Sequence, residues 1–185
     1  ILQKLRSIKN NIGFYTCRQT NNVFYYKNSG GRYWKFMTTF KPLFYLNGSI
    51  GTSSRETHLY FDSVDKLKVF TSTFNSSLYY WYYIMHSDAR TNNPSDLKEF
   101  PIVYEELDKF LQQRLVNLCD SLMSELKENA VMVDAVYSTG NVKFAQYLPS
   151  KSKIIIDEID KVLAEHYNFT EEEIDFIINY DIKYR

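Results

Sequence analysis

Basic residues interleaved with hydroxyls and amides carry the most chemical potential in this sequence. Arg32, Lys35, Lys41 and Arg55 fall in or beside a strand-and-loop stretch that also holds Ser53 and Ser54, and Arg90, Asn92 and Asn93 follow an aromatic run. An arginine fork matches the O6 and N7 edge of guanine, an asparagine amide matches adenine, and hydroxyls and main-chain N–H groups hold phosphates. The same residue types also decorate ordinary solvated surfaces. Gly30-Gly31-Arg32 reads equally well as a plain hairpin with an exposed arginine, Ser53-Ser54 as a soluble loop, and Arg90 as an ion-pair partner of Asp88 or Asp96.

Catalytic patterns are scarce. The chain has no GxxxxGK[ST] or GxGxxG cradle for a nucleotide phosphate and no Gly-x-Ser-x-Gly elbow. Glu125-Leu126-Lys127 has the letters of a metal-nuclease E-x-K, but it ends an amphipathic stretch where both charges are ordinary solvent-facing residues. Asp157-Glu158 and Glu171-Glu172-Glu173 read as helix faces and first turns that suit the helix dipole. His58, His86 and His166 stand at no metal-ligand spacing to one another or to Cys17 and Cys119. The two cysteines are expected to be incidental buried thiols of a protein in a reducing compartment. No catalytic residue, metal or cofactor is therefore expected in this chain.

Charge separates along the sequence. Formal net charge over the 185 residues is zero, which taken whole argues against a generic polyanion binder. Residues 1–100, however, carry 13 Lys+Arg against 6 Asp+Glu, a surplus of +7, and residues 101–185 carry 9 against 16, a balance of −7. Such asymmetry is the pattern of a chain with one half facing a polyanion. Aromatics make up 17% of the residues and concentrate in the basic half. The longest apolar or aromatic run, residues 78–85, is far short of the roughly 20 residues that cross a bilayer. The opening residues lack the apolar core of a signal peptide and an initiator methionine, so the chain is expected to be a piece of a longer protein.

Periodicity places these residues on an α+β framework. Short runs at 12–17, 23–27, 32–40, 43–47 and 57–62 are rich in aromatic and β-branched residues and read as strands. Asn28-Ser29-Gly30-Gly31 reads as a hairpin turn, and residues 47–55 as a polar loop. A helix is predicted from Ser63 to about His86, with Tyr79 to Tyr83 better suited to a core than to base stacking. A one-turn helix at Pro94, a long amphipathic helix over 103–127, an irregular or extended section over 131–149 ending in a strand at 142–148, and helices over 153–166 and 171–180 complete the pattern. Thr170 with Glu173 forms a capping box. The expected organisation is a strand-rich basic part, 1–102, and a helical acidic part, 103–185, within one compact domain.

An ordered string of segments points further. Gly30-Gly31-Arg32-Tyr33-Trp34-Lys35, Thr52-Ser53-Ser54, Asn75-Ser76-Ser77-Leu78-Tyr79-Tyr80-Trp81, Ser87-Asp88-Ala89-Arg90, Asn93-Pro94-Ser95-Asp96-Leu97 and Phe100-Pro101-Ile102 come first. Ser152-Lys153-Ile154-Ile155-Ile156-Asp157-Glu158-Ile159-Asp160, His166-Tyr167, Phe169-Thr170-Glu171-Glu172 and the final Ile177 to Arg185 follow. Together they resemble the C-terminal target-recognition region of type IIG restriction-modification enzymes and adenine-N6 DNA methyltransferases, the TaqI-like specificity domain. The resemblance covers roughly residues 23–185 and implies a partner in duplex DNA, an upstream methyltransferase domain of the same chain, and a bacterial cytoplasmic setting. S-adenosylmethionine would belong to that upstream domain, since neither its Gly-containing motif nor an Asn-Pro-Pro-aromatic motif occurs here; Asn92-Asn93-Pro94-Ser95 has one proline and no following aromatic. The implied DNA-facing set is Arg32, Lys35, Ser53, Ser54, Arg55, Arg90 and Asn92. Two rivals stand beside it: the specificity subunit of a multi-subunit restriction system, and a protein-interaction module that does not bind DNA.

Overall fold

The computed structural model describes residues 1–30 and 32–180. Gly31 of the predicted turn and the closing residues Asp181 to Arg185 of the resemblance lie outside the described residues. The fold is α+β, with two small antiparallel sheets and a helical body. In chain order the elements are α1 (Leu2–Arg6), β1 (Val23–Lys27), β2 (Phe44–Leu46), β3 (Ser49–Ile50), β4 (Glu56–Tyr60), α2 (Val64–Phe74), α3 (Ser77–His86), α4 (Pro94–Lys98), α5 (Lys109–Glu128), β5 (Val131–Tyr137), β6 (Gly140–Gln146), α6 (Pro149–His166) and α7 (Glu171–Asn179). Among the described residues no helix is long and apolar enough to cross a membrane.

The first sheet pairs β1 with β4, Val23 opposite Tyr60 and Lys27 opposite Glu56. The second runs in the order β3-β2-β6-β5. Its β2–β6 ladder joins Phe44 to Phe144 and Leu46 to Val142, across the expected boundary at residue 102. One hydrophobic core likewise draws Phe24, Phe61, Phe70, Phe74, Tyr79 and Phe100 together with Leu115, Leu122, Ile159 and Leu163. The two parts thus share a sheet and a core, and neither is purely strand or purely helix.

Several predicted elements are replaced for identifiable reasons. Residues 12–17 do not form a strand: Ile12–Tyr15 is a 3-10 turn. The continuous helix predicted to His86 breaks at Asn75 and Ser76, because Ser76 adopts an extended backbone and its hydroxyl accepts from Tyr79 N, starting α3 afresh. From α6, the buried Asp160 carboxylate accepts from Ser77 N and Leu78 N at 3.1 and 3.0 Å and caps the new helix. The long helix begins at Lys109, where Asp108 accepts from Phe110 N, after a 3-10 turn over Tyr104–Glu106. Pro149 starts α6 four residues ahead of the prediction, in the first-turn position that tolerates its missing N–H. Residues 131–137, expected to be irregular or extended, are extended: they form β5 in a hairpin with β6. Asn47-Gly48, with φ of 51° and 81°, turns β2 into β3 inside the expected loop.

Residues 32–40 form no strand, since their backbone groups find other partners. Thr38 exchanges hydrogen bonds with Tyr25 in an isolated bridge, at 2.8 and 2.9 Å. Asn75 then clamps Met37: its Oδ1 accepts from Met37 N at 3.0 Å, and its Nδ2 donates to Met37 O and Thr71 O, each at 2.8 Å. Met37, Thr38, Thr71 and Asn75 are all buried. Asn75→Ala leaves a buried N–H and C=O unsatisfied and should lower the unfolding free energy by about 3 kcal/mol. Urea denaturation checks the magnitude, and amide exchange at Met37 should accelerate in step; an unchanged midpoint would remove the clamp from the account.

Candidate nucleic-acid interface

Three backbone segments converge at the open end of the β1–β4 pair. Asn28, just past β1, donates its N–H to Arg55 O at 3.0 Å, extending the ladder by one rung. Its own carbonyl accepts from Asn92 N at 3.1 Å, and Ser29 bridges Thr91, so the 88–92 loop is tied on beside it. The third segment, residues 32–38, is held from below by Asn75 and by Tyr80, whose hydroxyl donates to Arg32 O at 2.7 Å. Gly30, at φ +126°, lets the chain pass Lys35: a Cβ there would sit 3.4 Å from the Lys35 Cε in a backbone conformation that side-chain-bearing residues resist.

The convergence gathers Arg32, Lys35, Arg55 and Arg90 and adds Lys27, which the sequence reading leaves out. Arg32, Arg55 and Arg90 are exposed; Lys35 is half-buried, its ammonium 4.9 Å from the centre of the Tyr83 ring and donating to Tyr33 O. Desolvation and then the charge of Lys27 push the Lys35 pKa down to about 8. Lys27 is lowered too, by desolvation and then by Arg55. Elsewhere Lys66, Lys68, Arg114, Lys143, Lys153 and Lys161 each lie within ion-pair distance of a carboxylate. Among the described residues none does so for Lys27, Arg55 or Arg90. Arg55 instead donates to Ser29 Oγ at 3.4 Å. Asp88 does not pair with Arg90: its Oδ1 accepts from the main-chain N–H of Arg90 and Thr91, which hold its pKa down.

The remaining expected residues have different roles. Asn92 was expected to face DNA but is 2% exposed, and its Oδ1 accepts from the Tyr79 hydroxyl at 3.1 Å. It is an internal tie between the 88–92 loop, β1 and α3. Ser53 forms the turn before β4, its Oγ accepting from Arg55 N and its carbonyl from Glu56 N, while Ser54 is exposed at that turn. Lys41 donates to Thr52 Oγ1. Tyr79, Tyr80, Trp81 and Tyr83 are buried, as the core reading of the aromatic helix expects. Glu125 accepts from Ser152 and Asn129, and Lys127 lies over the Phe40 ring, so the E-x-K letters mark a helix end engaged with its neighbours. Cys119 is buried, with its pKa pushed up to about 12 by desolvation, whereas Cys17 is exposed, contrary to expectation. Pro94 opens α4, and Asp96 Oδ2 accepts from Asn93 N in its capping box.

Compared with protein-family models, curated proteins and solved structures, the chain matches none.

Two outcomes follow from this geometry. Asn92→Ala strands the Tyr79 hydroxyl in the core and should cost about 1 to 2 kcal/mol by thermal or urea unfolding; the same substitution in a Tyr79→Phe background should cost less if the tie is the residue's role. Lys35 is lowered in the folded state relative to the unfolded chain, so folding favours its neutral form. Its charge therefore opposes folding fully below about pH 8, and stability rises as pH climbs from 8 toward the unfolded value. Melting temperatures between pH 7.5 and 9.5 should show a rise that Lys35→Met flattens.

Proposed function

We propose that this chain is the target-recognition domain of a restriction-modification enzyme, gripping duplex DNA so that an upstream adenine-N6 methyltransferase domain, which binds S-adenosylmethionine, meets its site. The carrying observation is the gathering of Lys27, Arg55 and Arg90 from three segments, with no carboxylate in ion-pair range of any of them among the described residues. Phosphate contacts supply most of the affinity for duplex DNA and need cations that are not already neutralised. The ordered motifs resembling the TaqI-like specificity domain support the same reading, and several of them meet here: Gly30 with Arg32 to Lys35, Ser53-Ser54 and Ser87 to Arg90.

Roles divide by place in the chain. Arg32 and Arg90, on loops flanking the cluster, are positioned to read base edges, while Lys27, Lys35 and Arg55 hold the backbone. Asn92 acts from inside by fixing the 88–92 loop that carries Arg90. Base extrusion and methyl transfer fall to the upstream domain.

One observation favours a protein-interaction reading alongside. On one face of the four-stranded sheet, Leu43, Ile50 and Val136 are 51%, 80% and 82% exposed, and Leu43 and Val136 line a groove of about 740 Å³ with Tyr45, Met132, Asp134 and Lys143. A face of this kind suits a protein partner.

Fluorescence anisotropy with a mixed-sequence duplex separates the readings. Binding should weaken linearly in log–log form with salt, at a slope of roughly 0.9 per phosphate engaged. Against a duplex selected from a random pool, Arg32→Ala and Arg90→Ala should each lose about 1 to 3 kcal/mol and relax the preference at one base pair. An absence of duplex binding at low salt would overturn the DNA reading and leave the protein-interaction module.

A further inference from the structure

We propose that β5 is an open sheet edge that takes up an extended peptide as an added strand, one carrying a lysine or arginine with an apolar residue two positions to either side. This rests on the protein-interaction reading of the sheet face and narrows it to a strand, a register and a charge; the DNA reading is independent of it.

The hairpin register decides which main-chain groups are open. Tyr137 and Gly140 face each other across a two-residue turn, so Tyr137, Ala135, Val133 and Val131 direct their N–H and C=O groups toward β6. Those of Met132, Asp134 and Val136 point the other way, where the strand order β3-β2-β6-β5 ends. Among the described residues no strand or loop pairs with that side of β5.

Sheet edges are ordinarily blunted by shortness, proline, lysine or a bulge. The other edge of this sheet, β3, is only Ser49–Ile50. By contrast β5 runs for seven residues without proline, glycine or lysine, and its register against β6 is unbroken. Main-chain bonds along such an edge give affinity to any extended chain, and the side chains beside it choose the sequence.

Charge selects the occupant. Asp134 is the one charged residue of β5 and the middle of the three open rungs. Its side chain is 75% exposed, and its carboxylate stands 3.8 Å from Lys143 Nζ, at the outer limit of an ion pair. Met132, Asp134 and Val136 all line the groove, since alternate side chains share a face. An added strand therefore meets apolar, acidic and apolar side chains in turn, and a cation opposite Asp134 is favoured. A second copy of this chain fits less well. The open rungs are symmetric about Asp134, so two-fold pairing through all three sets the two Asp134 carboxylates against each other, and a shift that avoids this gives up a rung.

Selection from a random-peptide phage library against the full chain tests the proposal. Enriched peptides should carry a central Lys or Arg between apolar residues two positions away. Replacing that cation by Glu in a selected peptide should weaken binding about five- to tenfold, and Asp134→Asn should remove most of the difference. Melting curves check that the variant is folded. Amide exchange followed by NMR reads the strand itself: the bound peptide should slow Met132, Asp134 and Val136 and leave Val131, Val133, Ala135 and Tyr137 as they were.

Peptides that bind without this alternation, or that ignore Asp134→Asn, would overturn strand addition while a protein partner for the sheet face survives. A library that yields no binder would overturn both, and duplex binding would be untouched. Slowed exchange at the same three amides in the concentrated chain alone, with a dimer by sedimentation, would make a second copy the occupant and overturn the peptide.

Discussion

The Asn75 side chain is the constraint on which the candidate interface depends. It stands where α2 ends, and its amide satisfies the main chain of Met37 in both directions as well as Thr71 O. One short side chain thus fixes where residues 32–38 run. Because a peptide buried without partners costs a few kcal/mol, the segment has no cheap alternative position. That path carries Arg32 and Lys35 to the end of the β1–β4 pair and lays Lys35 against Tyr83. The helix break that frees Asn75 for this task also lets Asp160 cap α3, so the start of the aromatic core helix and the path of the basic loop are settled at the same corner.

Positioning through backbone bonds and buried amides has an electrostatic consequence. In the helical body the cations sit beside carboxylates: Lys68 with Asp120, Arg114 with Glu165, Lys153 with Asp157. Exposed pairs of this kind add little stability, but they do neutralise the surface locally. At the interface the work of orientation is done by Asn28 N to Arg55 O, Asn92 N to Asn28 O, Tyr79 to Asn92 and Tyr80 to Arg32 O, none of which consumes a side-chain charge there. A zero overall charge is therefore compatible with cations such as Lys27, Arg55 and Arg90 that have no carboxylate in ion-pair range among the described residues.

What the sequence reveals follows from how local each signal is. The α+β class, β1, the amphipathic α5, the capping box at Thr170 and the burial of the aromatic helix are all written in short windows, and the structure agrees with each. The strand expected over 32–40 is not a matter of its own residues, whose alternation suits a strand well. Asn75, 38 residues away, supplies the competing hydrogen bonds, and no window contains both. Asn47-Gly48 carried a local hairpin signal inside what reads as a polar loop, and its φ angles match the turn that signal implies. For the site, the basic residues around Gly30 and Ser53 are legible as candidates. Lys27 is not, because the β1–β4 pairing that brings it beside Arg55 skips two intervening strands. Asn92 looks like a surface reader by type and neighbours, and only the reach of the Tyr79 hydroxyl shows that it points inward.

The burial of Asn92 also changes how the loop beside it must work. A groove-reading asparagine would have to give up a buried partner on each encounter, leaving the Tyr79 hydroxyl unsatisfied, so a contact made that way would be weakened by the cost of breaking one inside. An asparagine that stays inside instead lowers the freedom of the 88–92 loop before any ligand arrives. Asp88 adds to this by tying down the N–H groups of Arg90 and Thr91, and Ala89, at φ 53°, accepts a left-handed backbone to complete the turn. Arg90 is thereby left with a fixed base and an exposed side chain, which is the arrangement that lets a long, flexible arginine lose least entropy on docking. The acidic residue nearest to Arg90 in sequence serves to orient its backbone, and no carboxylate among the described residues lies within ion-pair range of its guanidinium.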